Sequence, residues 1–522
     1  MSKDISRCLL FNLWNELIQG KTKTWKVLTL ILGIAFGLRF FLILSPEVIH
    51  NDGTEYVRHA QQILSGDWSG GKSPPLYPSL IALVQMITQD YEMAGIWVSV
   101  IFGTLIVLPI FYLGRAIFDE KVGFLSALFA TVHPSLNISS GSVLTESTYH
   151  FLLATSVLFS WYAFHKGQFH YILLFSLFTT FAYLTRPEAI GLLFIFSVWV
   201  LLINPTMEKR AWTKKIGIIL IAIISFLVFS SPYLIQIRKD TGKWGISKKA
   251  TVSIGSLSGE EEAPSLETLR KKKGITLSSL IKHPLPVLGK IGTGIFGSLY
   301  RFLQAYNPIL FFLAVIGWVF LFKRESLYSW KGNVFLLAHL IFYFGFVYSF
   351  FFITRRYTSQ MVSISIPWGA FGFLGLMEWL HRRWGEKIPL KKFSVLLILF
   401  ILIGLFIQGR VIHTREHRFI EREAGMWMKE HLPMGARVMC QFPQEPFYAE
   451  LPWVGMPQGS YEEILRVARD RKVQYLVVDE KIEKDSPGFL EKLKKEDLVP
   501  IRDFKTGDKR VTIFEIIYPN GM

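Results

Sequence analysis

Apolar residues run in blocks along most of this chain, separated by short polar stretches, until about residue 410. Beyond that point the blocks give way to short helical and strand patterns. A helix needs about 20 mostly apolar residues to cross a bilayer, and fewer where the membrane thins locally. The pattern predicts eleven spans, near 25–45, 92–115, 121–137, 147–164, 170–184, 189–203, 214–233, 306–322, 333–352, 362–380 and 393–409. The stretch LYPSLIALVQMI (76–87) is too short for a span and is expected at the membrane interface. The first apolar run is too long for the core of a cleavable signal peptide, and no small-residue cleavage site follows it.

The basic residues give this pattern a direction. Lys21, Lys23 and Lys26 precede the first span. Lys209, Arg210, Lys214 and Lys215 form a second cluster, Lys323, Arg324 and Lys331 a third, and Arg382, Arg383, Lys387, Lys391 and Lys392 a fourth. With eleven spans all four clusters fall on one side, which the positive-inside rule makes cytoplasmic. The N-terminus is then expected inside and the C-terminus outside. A long basic loop, 234–305, falls outside, and long loops largely escape the rule.

This topology divides the chain into three parts. Residues 1–24 form a cytoplasmic segment whose Leu9, Leu10, Leu13, Trp14, Leu17 and Ile18 suit a helix lying on the membrane surface. Residues 25–411 form the membrane domain, with a first outer loop at 46–91 and the long outer loop at 234–305. Residues 412–522 form a small extracytoplasmic domain. There, strands at 436–440, 473–479 and 510–517 alternate with helical patterns around 424–427 and 462–470, which predicts an α/β fold with a partly parallel sheet. No Gly-rich phosphate loop is present in it. The fold class is therefore an α-helical polytopic membrane protein with a small α/β tail.

Composition agrees and narrows the function. Hydrophobic residues make up 51% of the 522 and charged residues 19%, against about 25% charged in soluble proteins. The net charge, 57 − 40 = +17, sits in blocks between apolar runs, so it reports topology and not nucleic-acid binding. Two cysteines, Cys8 and Cys440, argue against a disulfide scaffold, a Cys-rich zinc site or an iron–sulfur cluster.

Candidate chemistry concentrates at the outer helix ends. HNDGTEY (50–56) opens the first loop. Asp52 has two readings: a general base for an acceptor hydroxyl, or a helix cap with Glu55 completing a capping-box pattern. His50 is a candidate helper. GKSPPLYPSL (71–80) offers Lys72 before a stiff Pro-Pro turn, either as a phosphate-binding charge or as a snorkelling interfacial lysine; Tyr77 follows. Glu146, in SGSVLTESTYH (140–150), is a second acid: a site residue, or a favourable charge at a helix start capped by Thr145. LTRPEAIG (184–191) adds Arg186, which capping does not explain. FFITRRYTSQ (351–360) adds Arg355, Arg356 and Tyr357, suited to phosphate recognition or to interfacial anchoring. Asp52 with Glu146 is also the one pair offered for a divalent ion, although nothing in the sequence requires a metal.

In their order and side of the membrane, NDGTEY, KSPPLYPSL, LTES, LTRPE, RRY and the α/β tail resemble the GT-C membrane glycosyltransferases. The likeness is to the bacterial branch related to protein O-mannosyltransferases and to the aminoarabinose transferase acting on lipid A, families 39 and 83. It covers nearly the whole chain. It implies inverting transfer of a sugar from a polyprenyl-phosphate-linked donor at the outer leaflet, to a lipid, glycan or protein acceptor, among membrane lipids and with no nucleic acid. Carried over, Asp52 matches the first-loop catalytic Asp expected to be the base, and Lys72 a lysine near the donor phosphate. Glu146 occupies the second acidic position, and Arg355 or Arg356 matches an arginine near that phosphate. The chain lacks the β-trefoil insert of some protein O-mannosyltransferases, which argues against a protein acceptor of that type.

The expected site is a cavity at the outer interface, open to lipid, walled by Asp52, Glu146, Lys72 and an arginine, and roofed by the tail or the 234–305 loop. Two other functions compete: a lipid or glycan transporter or flippase, whose charges would lie near the midplane between internal repeats, and an oligosaccharide ligase or polymerase. The acid directly after the first span favours the transferase.

Overall fold

The structure, a computed structural model, describes residues 24–44, 48–68, 71–202, 212–248, 284–323, 327–350, 354–384, 390–412, 419–457, 459–479, 482, 489, 492–493, 496–507 and 509–518. The N-terminal amphipathic segment and residues 249–283 lie outside the described residues. The chain separates into two compact units: 1–44 with 56–412, and 45–55 with 413–522.

The first unit is helical. Among the described residues, each of the eleven predicted spans overlaps helix. Among the described residues, six helical segments are long and apolar enough to cross a membrane, or eight if each of two bent pairs is one span. Three more apolar helices, Leu76–Thr88, Phe169–Tyr183 and Pro187–Leu202, are shorter. The protein is therefore an integral membrane protein with multiple spans. Helix Glu146–Lys166 has 21 residues but reads as less apolar, because it carries buried polar groups: Glu146, Ser147, Thr148, His150, Ser156 and Ser160.

The breaks have local causes. The pair Glu120–Val132 and Pro134–Ser140 bends by 53°. Arg39, fully buried in the first helix, donates to the carbonyls of Thr131 and Ala130 at 3.3 Å each. It thereby satisfies acceptors that the end of a helix leaves without partners. The pair Gly292–Tyr306 and Pro308–Leu321 bends by 105°. Asn307 makes that corner with a φ of 75°, a conformation asparagine tolerates. Its side-chain oxygen then accepts from the Ile309 N–H at 2.8 Å. Helix Pro284–Tyr306 occupies the end of the expected loop at 234–305, and helix Trp212–Thr241 runs through Pro232 into its start. Helices Pro308–Lys323 and Val362–Trp384 pack backbone to backbone: a Cβ on Gly372 would lie 1.7 Å from the Leu313 carbonyl oxygen. Small residues permit such approach between membrane helices.

The second unit is a five-stranded sheet in the order β2-β1-β3-β5-β4. β1 (Val438–Cys440), β2 (Trp453–Gly455) and β3 (Tyr475–Asp479) are parallel; β4 (Leu498–Thr506) and β5 (Lys509–Ile516) add an antiparallel hairpin. Strand alternation divides the core. Met439, Leu476, Val478, Phe514 and Ile516 pack with Ile464, Leu465 and Ala468 of helix Tyr461–Asp470. Val438, Cys440, Val477, Val511 and Ile513 pack with Ile420, Ala424 and Met428 of helix Phe419–His431.

Candidate active site

In the first unit the arrangement centres on Glu146, the first residue of its helix and 2% exposed. Thr145 makes no side-chain cap there, so the capping account of this helix start does not hold. Glu146 Oε1 instead accepts from Arg356 Nε at 2.7 Å and from Arg186 at 3.2 Å. Arg186 Nε also donates to Glu188 at 2.6 Å. The Arg186 guanidinium lies over the rings of Tyr357 and Tyr149, 4.7 and 5.6 Å from their centres. Burial alone would pull its pKa down; Glu188 and Glu146 outweigh that and hold it well above the ordinary arginine value. The sequence thus delivers LTES, LTRPE and RRY to one place, 40 and 170 residues apart or more.

The turn carrying Lys72 is tied to the same region. The Leu76 N–H donates to the Leu184 carbonyl, two residues before Arg186, at 2.9 Å. Gly71 lies against His59, whose Nδ1 is 3.3 Å from Ser73 Oγ. Lys248 donates to the Gly71 carbonyl at 2.9 Å and pairs with Asp240 at 2.5 Å. Burial, then the nearby charges of Lys248 and Arg58, lower the His59 pKa to about 4, so the ring is neutral at neutral pH. Lys72 itself is exposed and Arg355 half-buried, and neither side chain forms a hydrogen bond or ion pair among the described residues.

Tyr77 is fully buried, and its hydroxyl reaches the Gly95 carbonyl at 3.1 Å and Ser99 at 3.0 Å. Its ring meets that of Tyr56 edge-on at 5.3 Å. His133 is fully buried, bonded to the Tyr306 carbonyl at 3.1 Å.

Asp52, His50 and Glu55 fall in the second unit. Helix Asn51–Leu64 starts there, and Asp52 stands inside its first turn. The capping atom is His50 Nδ1, which accepts from the Asp52 N–H at 3.3 Å. That ring nitrogen is 3.9 Å from the Asp52 carboxylate, and the Asp52 side chain is 34% exposed. Half-buried Glu55 lies one turn further on. The cap reading of Asp52 therefore gives way to one in which His50 caps and Asp52 stays accessible.

Sequence reasoning passed over Glu188, taken for an ordinary helix start, and the aromatic support from Tyr149. A charged residue two positions from Arg186 and an aromatic three positions after Glu146 were the available signals. Among the described residues no group of three or more His, Cys, Asp or Glu side chains could hold a metal ion. Both guanidinium contacts of Glu146 are made by the same carboxylate oxygen, Oε1.

Residues 72–235 match the family described as dolichyl-phosphate-mannose-protein mannosyltransferase. No curated relative matches the chain by sequence. Among solved structures, ArnT from Cupriavidus metallidurans bound to undecaprenyl phosphate is similar in fold, with a TM-score of 0.59 at 12% identity over 94% of this chain and 98% of that one. The Archaeoglobus fulgidus oligosaccharyltransferase tethered to an acceptor peptide gives 0.62 at 14% identity, over 91% and 72%. At such identities the likeness speaks for the fold. Over part of its length the chain is thus similar to the protein mannosyltransferase family, and in fold it is similar to ArnT.

Proposed function

We propose that this protein is a glycosyltransferase that moves a hexose or pentose from a polyprenyl-phosphate carrier to an acceptor hydroxyl on the outer face of the membrane, with inversion. Asp52 takes the hydroxyl proton as the acceptor oxygen attacks the anomeric carbon. The bond from that carbon to the phosphate oxygen breaks, and polyprenyl phosphate leaves with the electron pair. Lys72 and Arg355 stabilise the charge that develops on the phosphate. Glu146 is a positioning residue in this account, holding Arg186 and Arg356, and the base role stays with Asp52. The N-terminus is cytoplasmic and the tail extracytoplasmic, following the four basic clusters.

The observation that carries this reading is the charge distribution around Glu146. Glu146 and Glu188 take up Arg186 and Arg356. The neighbouring Arg355 and Lys72, whose turn is tethered to Leu184, carry positive charge that these carboxylates do not neutralise. That is what an anionic lipid phosphate needs.

Native mass spectrometry of the full chain with added undecaprenyl phosphate tests it. Wild type and Asp52→Asn should bind this lipid equally. Lys72→Met with Arg355→Met should weaken binding about tenfold or more, since each charge-assisted bond contributes roughly 1.5–3 kcal/mol. Unchanged affinity in the double variant would reassign both residues to interfacial anchoring.

A further inference from the structure

The segment that carries Asp52 is held by the tail domain. Residues 45–55 group with 413–522 and not with the helices on either side of them in the chain. Two hydrogen bonds join the first of these stretches to helix Gln444–Ala449. The Ile49 N–H donates to the Tyr448 hydroxyl at 2.8 Å, and the Gln444 side-chain amide donates to Asn51 Oδ1. They fall three residues and one residue before Asp52. Val48 and Ile49 are each 3% exposed, so the approach to the catalytic turn is packed as well as bonded.

The gripping residues are themselves fixed. Gln444 is 1% and Tyr448 7% exposed. The Arg422 guanidinium lies 5.3 Å from the centre of the Tyr448 ring. Gly425 brings helix Phe419–His431 so close that a Cβ there would lie 2.6 Å from both Tyr448 Cβ and the Glu445 carbonyl oxygen. A hydroxyl and an amide on a short helix wedged in this way leave little room for the backbone they bind. Catalysis is sensitive to that: a misplacement of about 1 Å can cost on the order of 100-fold in rate.

We propose that Gln444 and Tyr448 are positioning residues for Asp52, so that the tail domain sets the geometry of proton abstraction. The inference rests on Asp52 being the base. The donor phosphate is held by other residues, so the effect belongs in kcat and not in donor affinity. It also belongs to Asp52 alone, which separates positioning from a general role in stability.

The experiment uses full-length Tyr448→Phe and Gln444→Leu, each made in the wild type and in Asp52→Asn. The substrate is the undecaprenyl-phosphate-linked hexose or pentose that the wild type turns over. The expected result is a kcat lowered roughly 10- to 100-fold, with donor KM and undecaprenyl phosphate affinity within about twofold, and no further loss in the Asp52→Asn background. Tyr448→Phe removes a single oxygen atom and decides the matter if Gln444→Leu does not fold. A kcat within about twofold of wild type in Tyr448→Phe overturns the proposal, and so does an equal loss in the Asp52→Asn background. If Asp52→Asn itself turns over normally, it is the base assignment that fails; a silent Tyr448→Phe beside an inactive Asp52→Asn leaves the base in place and removes only the positioning role.

Discussion

Glu146 shows how a residue's surroundings decide between roles that its local sequence leaves open. Its side chain is 2% exposed and meets two guanidinium groups. Removing one partner of a buried ion pair leaves an uncompensated charge, which costs about 3–5 kcal/mol. Glu146→Gln should therefore lower the thermal unfolding midpoint clearly and weaken undecaprenyl phosphate binding indirectly, by releasing Arg186 and Arg356. A variant as stable as wild type would show that the arginines are held by something else. Lys72, Arg355, Arg356 and Arg186 were all legible in the sequence as unexplained cations at helix ends. Which of them are neutralised was not, because that depends on partners up to 210 residues away (356 − 146). Asp52 read locally as a cap, whereas the ring nitrogen of His50, two residues before it, accepts from its N–H.

The elements were legible where the apolar period is strong and obscure where polar groups interrupt it. Helix Pro284–Tyr306 was missed because four glycines, two prolines and the charges of Lys290 and Arg301 break its apolar run. Strands β2 and β4 were missed because β2 is three residues long and β4 carries Pro500, Arg502 and Asp503. The turn 71–75 shows what a small element can control. A Cβ on Gly71 would lie 2.1 Å from the ring of buried His59, and overpacking of this kind costs typically 1–3 kcal/mol. Gly71→Ala should displace the turn that carries Lys72 and weaken undecaprenyl phosphate binding. His59→Ala in the same chain should restore space and much of the affinity. An affinity unchanged by Gly71→Ala alone would mean that Lys72 does not depend on this packing.

At the scale of the molecule, the block pattern of apolar runs was enough for a helical membrane domain followed by an α/β tail. It could not foresee that residues 45–55 group with the tail, whose Tyr448 and Gln444, some 400 residues later, bond to Ile49 and Asn51. Orientation follows from charge: the basic clusters near 21–26, 209–215, 323–331 and 382–392 should all be cytoplasmic. A single cysteine introduced at exposed Met434, in a chain lacking Cys8 and Cys440, should react with an impermeant maleimide in intact cells. Labelling only after lysis would invert the topology.

The most direct test of the whole account is transfer itself. Purified wild type and Asp52→Asn are each given a panel of undecaprenyl-phosphate-linked hexoses and pentoses with a cell-envelope extract as the source of the acceptor hydroxyl, and release of undecaprenyl phosphate is followed together with lipid binding. The account predicts that wild type consumes one donor, and that Asp52→Asn binds undecaprenyl phosphate as tightly but turns over at least about 100-fold more slowly. Turnover by Asp52→Asn at the wild-type rate would contradict it.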